Sequence, residues 1–287
     1  MDVSVIIVNY NTQKLTQQCV DSIFAKTSGL EFEVILIDNG STDGSRACFS
    51  ADERITYIYS EENLGFGKAN NLGAWNAQGD YLFFLNSDTY LVNNAIGIFF
   101  DYARSTRASK IGFIGTLLRD AEGNINGYGD SFPSIWKSIK TALHIPSTRK
   151  MPEDGIKTPF DVDYVVGADM FVSKKVFDEV GGFDEAFFMY YEESDLQYRS
   201  YKKGYRNVII GKPQIVHLEG GSQQQRVSHQ KLMMVEESHL RYQKKHHHRC
   251  VYGFFMVLYF LLRLPTLFGP YSMREKNDYL SLLIKWM

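Results

Sequence analysis

The sequence predicts an α/β protein with a mostly parallel central sheet flanked by helices. Three observations carry that expectation. Residues 81–85 (YLFFL) form an apolar run too short to cross a membrane and suited to a strand buried on both faces. Strand-like and helix-like segments alternate through the first hundred residues, with connections of the length that βα units use. Three strand-like runs end abruptly in polar residues: Asn9-Tyr10-Asn11, Asp38-Asn39 and Asn86-Ser87-Asp88. Loops that follow the strands of such a sheet converge on one rim, where open α/β sheets bind ligands. Turn propensity accounts for one such triplet, but not for polarity gathered at the same edge three times.

The first strand is expected over residues 3–8 (VSVIIV), a β-branched run. Thr12 is placed to cap a helix whose apolar positions Leu15, Cys19, Ile23 and Phe24 recur at helical spacing until Ser28-Gly29 stops it. Strands follow over residues 34–37 and 55–59, then a helix running through Trp75 to Ala77, then the strand that delivers Asp88. Gly65-Phe66-Gly67 invites a dinucleotide-binding reading. That fingerprint requires GxGxxG directly after the first strand, whereas here Asn70 stands at the third glycine and the segment follows the third strand. The segment still offers flexible backbone and a cation, Lys68, near the rim, which suits a phosphate-bearing ligand.

Composition narrows the function classes. With 287 residues, 44% hydrophobic and 22% charged, the chain is of globular type and long enough for a sizeable core. Its net charge of −2 gives no field for a nucleic-acid partner. The three cysteines, Cys19, Cys48 and Cys250, are far apart and form no CxxC pair, which reads as reduced thiols in a cytosolic compartment. Residues 1–10 hold a strand-like run without a basic leader or cleavage signal, so secretion is not expected.

VSVIIVNYN, IDNGSTDGS, ENLGFGKANNLG and GDYLFFLNSDT together resemble the family 2 inverting glycosyltransferases of the GT-A fold, especially the branch containing bacterial rhamnosyltransferases. The resemblance covers roughly residues 3–222 and implies a nucleoside-diphosphate-sugar donor. It matches the family's DxD-type metal motif to Asn86-Ser87-Asp88, leaving Asp88 as the one anionic ligand, with Mn²⁺ or Mg²⁺ as the implied cofactor. By the same match Tyr10, between Asn9 and Asn11, offers a ring to a pyrimidine. Asp38, followed by Asn39, accepts from the base N3–H, and Lys68 lies near base and phosphates.

Residues 91–102 read as a helix and 110–118 as another strand. From residue 119 to 163 the pattern dissolves: Gly123-Asn124 suits a hairpin turn, Pro133, Pro146, Pro152 and Pro159 break long elements, and Trp136, Ile139 and Leu143 mark one short helix. This irregular segment is expected to border the acceptor site. Strand character resumes over 162–172, interrupted at Gly167-Ala168-Asp169, where the resemblance places the donor sugar and makes Asp169 a polar contact. A turn between two strands explains Asp169 equally well.

An aromatic run ending in Tyr190-Tyr191 leads into Glu192-Glu193-Ser194-Asp195 and a helix over 196–203. Crowded carboxylates beside aromatic walls raise one another's pKa, which can poise a general base. Acids at a helix N-terminus also simply favour its dipole. The resemblance matches the family's ED motif to Glu192-Glu193 and puts the base on Glu193, with Asp195 as runner-up. Strands over 208–210 and 214–216 precede His217 and Gly220-Gly221-Ser222; PQIVHLEGGS resembles the signature whose histidine completes the metal site.

Residues 227–243 are polar and helical, Lys244-Lys245-His246-His247-His248-Arg249 is a basic run, and 251–262 is almost wholly apolar yet too short for a span. That combination suits a helix lying in an anionic membrane interface. The expected organisation is a GT-A domain over 1–225 (nucleotide-binding half 1–118, acceptor and catalytic-base half 119–225) and a helical extension over 226–287. The expected function is metal-assisted, inverting hexosyl transfer from dTDP-rhamnose or a UDP-sugar. The acceptor is a growing bacterial cell-surface or lipid-linked glycan, at the inner face of the cell membrane. A sugar-nucleotidyltransferase would need a strongly basic glycine-rich loop after the first strand, which NYNTQK is not. A sugar-nucleotide-binding module without catalysis is the non-enzyme alternative, supported by Asn86 and by glutamate at position 193.

Overall fold

The computed structural model describes residues 1–106, 109–146, 151–152, 155–218, 228–269 and 272–287. Contacts divide the chain into two compact units: Met1–Ser131, Met151–Phe188 and Glu192–Gln223 form the first, and Phe132–Lys150, Met189–Tyr191 and Gln224–Met287 the second. The expected boundary at residue 225 leaves out the two inner segments that join the second unit.

The first unit begins with β1 (Val3–Asn9), α1 (Gln13–Lys26), β2 (Phe32–Asp38), α2 (Ser45–Phe49), β3 (Thr56–Tyr59), α3 (Phe66–Asn76) and β4 (Tyr81–Asn86). These β-branched and aromatic runs pair in parallel, with Val8 opposite Asn86 and Asn9 opposite Asp38. The register therefore brings the polar ends of β1, β2 and β4 to one edge. The start of α1 differs from expectation. Thr12 makes no side-chain cap, because its hydroxyl donates to Asn9 Oδ1, and the Gln13 N–H is taken instead by the Asp43 carboxylate at 2.9 Å.

Past β4 the chain forms β5 (Thr89–Leu91), α4 (Ala95–Ser105) and β6 (Ile111–Gly115). The helix expected from residue 91 starts at Ala95, because residues 89–91 pair as a strand and Asn94 caps Gly97 N–H. The segment expected to be irregular holds β7 (Leu118–Arg119) and β8 (Ile125–Gly127), a hairpin across the Gly123-Asn124 turn, followed by β9 (Gly129–Asp130). It also holds α5 (Ile135–Ala142), on the Trp136 and Ile139 spacing, and β10 (Phe160–Val162). Then come β11 (Tyr164–Val165), β12 (Asp169–Ser173), α6 (Lys174–Val180), α7 (Glu192–Lys202), β13 (Arg206–Ile209) and β14 (Ile215–His217).

Among the described residues, eight strands form a mixed sheet of order β10-β13-β6-β12-β4-β1-β2-β3. It is parallel through β4-β1-β2-β3 and between β13 and β6, while β12 runs antiparallel between β4 and β6. That reversal puts the N-terminal end of β12, not its C-terminal end, at the polar edge. A smaller sheet of order β5-β14-β7-β8 lies beyond it. Alternate side chains of the large sheet feed two cores. Val5, Ile7, Phe83 and Phe171 pack with Cys19, Ile23 and Phe99 of α1 and α4; Ile6, Leu82, Phe84 and Met170 pack with Ala69, Phe177 and Leu196 of α3, α6 and α7. Gly73 lets α3 lie flat on β1, since a Cβ there would come within 2.5 Å of Ile6 Cγ2.

The second unit contains α5, α8 (His229–His246), α9 (Arg249–Arg263) and α10 (Met273–Trp286). Its core gathers Ala142, Leu240, Phe255, Met256, Tyr259 and Leu283. Glu236 accepts from the Tyr259 hydroxyl at 2.8 Å and lies 3.6 Å from Arg263, so that buried carboxylate is both hydrogen-bonded and paired. Burial pushes the His239 imidazole down to about 4, and its Nε2 lies 2.6 Å from the Ser138 hydroxyl. The structure adds α2, α6 and α10 to the helices expected. Ser272 and Glu275 form a capping box that starts α10.

Candidate active site

Asp88 and His217, far apart in sequence, meet because β14 pairs with β5: His217 stands opposite Thr89, and Leu218 N–H donates to the Asp88 carbonyl at 2.9 Å. His217 Nε2 then lies 3.3 Å from Asp88 Oδ1. Asn126 holds the His217 carbonyl at 2.9 Å. The Gly220-Gly221-Ser222 part of the expected signature lies outside the described residues. An imidazole and a carboxylate are borderline and hard donors that suit Mn²⁺ or Mg²⁺, and both are partly exposed at the rim. Among the described residues no group of three or more His, Cys, Asp or Glu side chains could hold a metal ion, so Asp88 and His217 stand as a pair of donors.

From Asp88 the rim continues through a chain of contacts. The Asn86 N–H donates to the Ala168 carbonyl at 3.0 Å, and its carbonyl accepts from the Thr89 hydroxyl at 2.7 Å. Gly167, next along, has Glu193 Cβ and Phe66 at 3.8 Å from where its own Cβ would stand. Glu193 is thereby brought next to the strand end beside Asn86. It is half-buried in the first turn of α7, and burial pushes its carboxyl above the usual range while backbone N–H groups and Ser194 pull part of the way back. Glu192 is more deeply buried, and its carboxyl is driven well up, first by burial and then by the charge of Glu193; its Oε2 has no partner. The two neighbours thus differ in environment: one faces partly outward, the other is held in.

The remaining expected site residues divide into exposed and engaged. Tyr10 is 49% exposed, and Lys68 is also exposed. Asn11 adopts a left-handed φ of 54° and accepts Thr42 N–H at 2.8 Å, which fixes the loop that carries Tyr10. Asp38 differs from the expected direct contact with a base. It is 0% exposed, and its carboxylate already accepts the Tyr57 hydroxyl at 2.7 Å and Ser41 N–H at 3.1 Å. Asn9 likewise turns inward, accepting the Thr12 and Thr16 hydroxyls and donating to Ser41 at 3.0 Å. Asn39 binds Asn63, Gly65 and Leu64 and so ties the loop after β2 to the loop before α3. Asp169 is fully buried, accepting Thr116 N–H at 2.7 Å with its other oxygen unpartnered, and burial drives its carboxyl well up; it underlies the rim instead of facing a sugar. Polar residues at a strand end can turn inward to satisfy loop backbone, as Asp38, Asn39 and Asp169 do, while Asn9 turns inward to side-chain partners.

Asp195 is also engaged. Its side chain is 0% exposed and paired at 2.8 Å with Arg199, which reaches on to the carbonyls of Val180 and Gly182. That places it as a brace between α7 and the turn after α6. Sequence reasoning missed Arg199, although its i+4 spacing from Asp195 on a helix was a readable sign. It also missed Tyr57 as the partner of Asp38, and the contact of Thr12 with Ser87 at 3.1 Å, which joins the loops after β1 and β4. Gly65 matters for position: Phe66 N–H donates to the Phe188 carbonyl at 2.8 Å, an approach that leaves no room for a side chain at residue 65. A cavity of about 470 Å³ lies at the opposite edge of the sheet beside Lys110, Lys174 and Tyr205 and is lined by none of these residues.

The mixed central sheet flanked by helices, with β12 reversed between β4 and β6, is the arrangement of the GT-A fold. The family model described as Glycosyl transferase family 2 matches residues 4–179, more than half of the chain, and the chain belongs to that family. Similar proteins include the low-salt glycan biosynthesis hexosyltransferase Agl10 of Haloferax volcanii, 29% identical over 220 residues, covering 75% of this chain and 66% of that protein. The N-acetylglucosaminyl-diphospho-decaprenol L-rhamnosyltransferase of Mycobacterium tuberculosis is 28% identical over 206 residues, covering 64% of this chain and 66% of that protein. The matches therefore span just under two thirds of these relatives. Staphylococcus aureus TarS 1-349 in complex with UDP shares the fold at TM-score 0.60 and 16% identity, covering 100% of this chain and 81% of that one. GalNAc-T7, solved with UDP, GalNAc and Mn²⁺, shares it at TM-score 0.56 and 18% identity over 82% of this chain and 48% of that one.

Proposed function

We propose that the chain transfers a hexose, with inversion, from a nucleoside-diphosphate donor to a hydroxyl of a growing cell-surface or lipid-linked glycan. The donor is dTDP-rhamnose or a UDP-sugar. The observation that carries this reading is the pairing of Asp88 with His217 on the rim that also brings Glu193 beside Gly167. The rhamnosyltransferase relative supports the donor and the lipid-linked acceptor, and the likeness to UDP-bound TarS supports a nucleoside diphosphate.

Asp88 and His217 would hold Mn²⁺ or Mg²⁺, which when bound neutralises charge on the diphosphate leaving group. Tyr10 offers its exposed ring to the base, and Lys68 adds a cation toward the phosphates. Glu193, ionised, accepts the proton of the acceptor hydroxyl as that oxygen bonds to the anomeric carbon on the face opposite the departing phosphate. The anomeric C–O bond to phosphate breaks, leaving an inverted glycoside, a nucleoside diphosphate and a protonated Glu193. Glu192, driven toward the neutral form, leaves the negative charge of the pair to Glu193. Residues 226–287 keep the enzyme peripheral on the inner face of the membrane, where a lipid-linked acceptor resides.

The test is a thermal-shift screen of UDP- and dTDP-sugars with and without Mn²⁺, followed by transfer to a polyprenyl-diphosphate-linked sugar. Binding to folded protein raises its apparent stability by mass action. Glu193→Gln should keep the donor-induced shift and lose transfer by about 10² to 10⁴. Full transfer in that variant removes Glu193 from the mechanism, and no response to any donor ends the reading.

A further inference from the structure

We infer that α5, from the middle of the chain, joins α9 in forming a surface of the second unit that lies on an anionic lipid–water interface. This rests on the peripheral-membrane reading above and extends it to a helix outside the C-terminal extension. α5 and α9 pack against one another, and each shows two apolar faces. The inner faces meet in the core through Ala142, Tyr252, Phe255, Met256 and Tyr259. The outer ones carry Trp136 on α5 and Leu143 at its C-terminal cap, and Phe254, Val257 and Leu261 on α9, with Phe254 74% exposed. These fall at i, i+7 and at i, i+3, i+7, so each is a stripe along one side of its helix.

The charges beside the stripes decide what covers them. Between Glu237 and Glu275 the sequence holds six Lys or Arg and neither Asp nor Glu, in a chain whose net charge is −2. Lys244, Lys245 and Arg249 are exposed where α8 ends and α9 begins. α5 also has no acid and exposes Lys140, whose ammonium sits 5.5 Å from the Trp136 ring. A second copy would set these cations against each other, because a two-fold interface apposes a patch with itself, and like charges across an interface are repulsive. Anionic headgroups meet the same cations favourably, while aliphatic and aromatic side chains reach the acyl boundary. Among the described residues no helix is long and apolar enough to cross a membrane, consistent with helices lying along the interface.

The experiment is sedimentation of the full chain with phosphatidylcholine vesicles, with and without phosphatidylglycerol. Analytical ultracentrifugation of each protein without lipid runs alongside. The parent should partition onto the anionic vesicles and weakly onto neutral ones. Trp136→Glu with Leu143→Glu, and separately Phe254→Glu with Leu261→Glu, should each lower the partition constant about tenfold or more, since both lose apolar insertion and gain repelling charge. Thermal melting checks that the variants fold; should either unfold, the corresponding alanine pair replaces it, with the same direction expected. Parent-like partitioning of the α5 variant overturns the inference while leaving the peripheral reading standing. Failure of the parent to partition overturns both, and neither outcome touches the donor-binding test. A parent dimer that the α5 variant splits, with vesicle binding unchanged, assigns the face to a second copy and also overturns it.

Discussion

Removing Arg199 separates the brace from the base. In Arg199→Met the Asp195 carboxylate, 0% exposed, loses the guanidinium 2.8 Å away, and the carbonyls of Val180 and Gly182 lose their donors. Stripping one partner from a buried ion pair costs about 3–5 kcal/mol. Each carbonyl left short of a partner adds about 1 kcal/mol unless water reaches it. The expected loss is therefore about 5–7 kcal/mol, comparable with the whole stability of many domains. Arg199→Lys should fall between parent and Met, because one ammonium cannot serve three acceptors set around a planar fork. Urea unfolding at pH 7, followed by circular dichroism and compared through midpoints at constant slope, measures the loss. A loss below about 1 kcal/mol for Arg199→Met refutes the brace. The companion variant Asp195→Asn should lower stability yet keep turnover in the folded fraction; loss of turnover without loss of stability would return Asp195 to candidacy as the base.

Asp88→Asn and His217→Ala should each weaken Mn²⁺ binding in the presence of nucleoside diphosphate by more than the tenfold or so that loss of an outer partner costs, read by titration calorimetry. The acid limb of the pH–rate profile should sit above the ordinary glutamate range, because burial raises Glu193 and the base works only when ionised; Glu193→Asp should move that limb if the residue is the base. Raised carboxyls also set the slope of stability. Buried Asp169 and Glu192 keep protons that the unfolded chain has released, so stability should fall as pH rises from the ordinary carboxylate range through their raised values. Asp169→Asn should flatten that fall in denaturant midpoints taken across pH. Gly65→Ala should cost about 1–3 kcal/mol from backbone alone, since φ 80° with ψ 176° is nearly closed to side chains. A Cβ 2.2 Å from the Phe188 oxygen must also displace the segment leading to Glu193, so transfer should fall more than donor binding.

Much of the fold was legible because buried strands and amphipathic helices leave strong periodic signals. The runs at residues 3–8, 34–37 and 81–85 became β1, β2 and β4, each one or more residues longer, and the Trp136 and Ile139 spacing became α5. The direction of β12 was not legible, since a strand's polarity depends on which neighbours it joins. Side-chain facing was the other gap. Asp38, Asn9 and Asn39 were read correctly as sitting at strand ends, but whether a polar group there looks outward or satisfies a neighbouring loop depends on partners such as Tyr57 and Asn63. Asp88 and His217 were named together from the resemblance, and it is the β5–β14 ladder that accounts for their meeting. The capping box at Ser272 and Glu275 was readable and would have revealed α10.

The latch of Asn9, Asp38 and Ser41 lies beneath the rim, while the Tyr10 ring stands outward on the loop above it. Scaffold and reading surface are therefore separable here. The ring at position 10 can be exchanged for another flat or hydrogen-bonding side chain without disturbing the knot below it, so if Tyr10 meets the base as proposed, this one position is where nucleobase preference can be retuned.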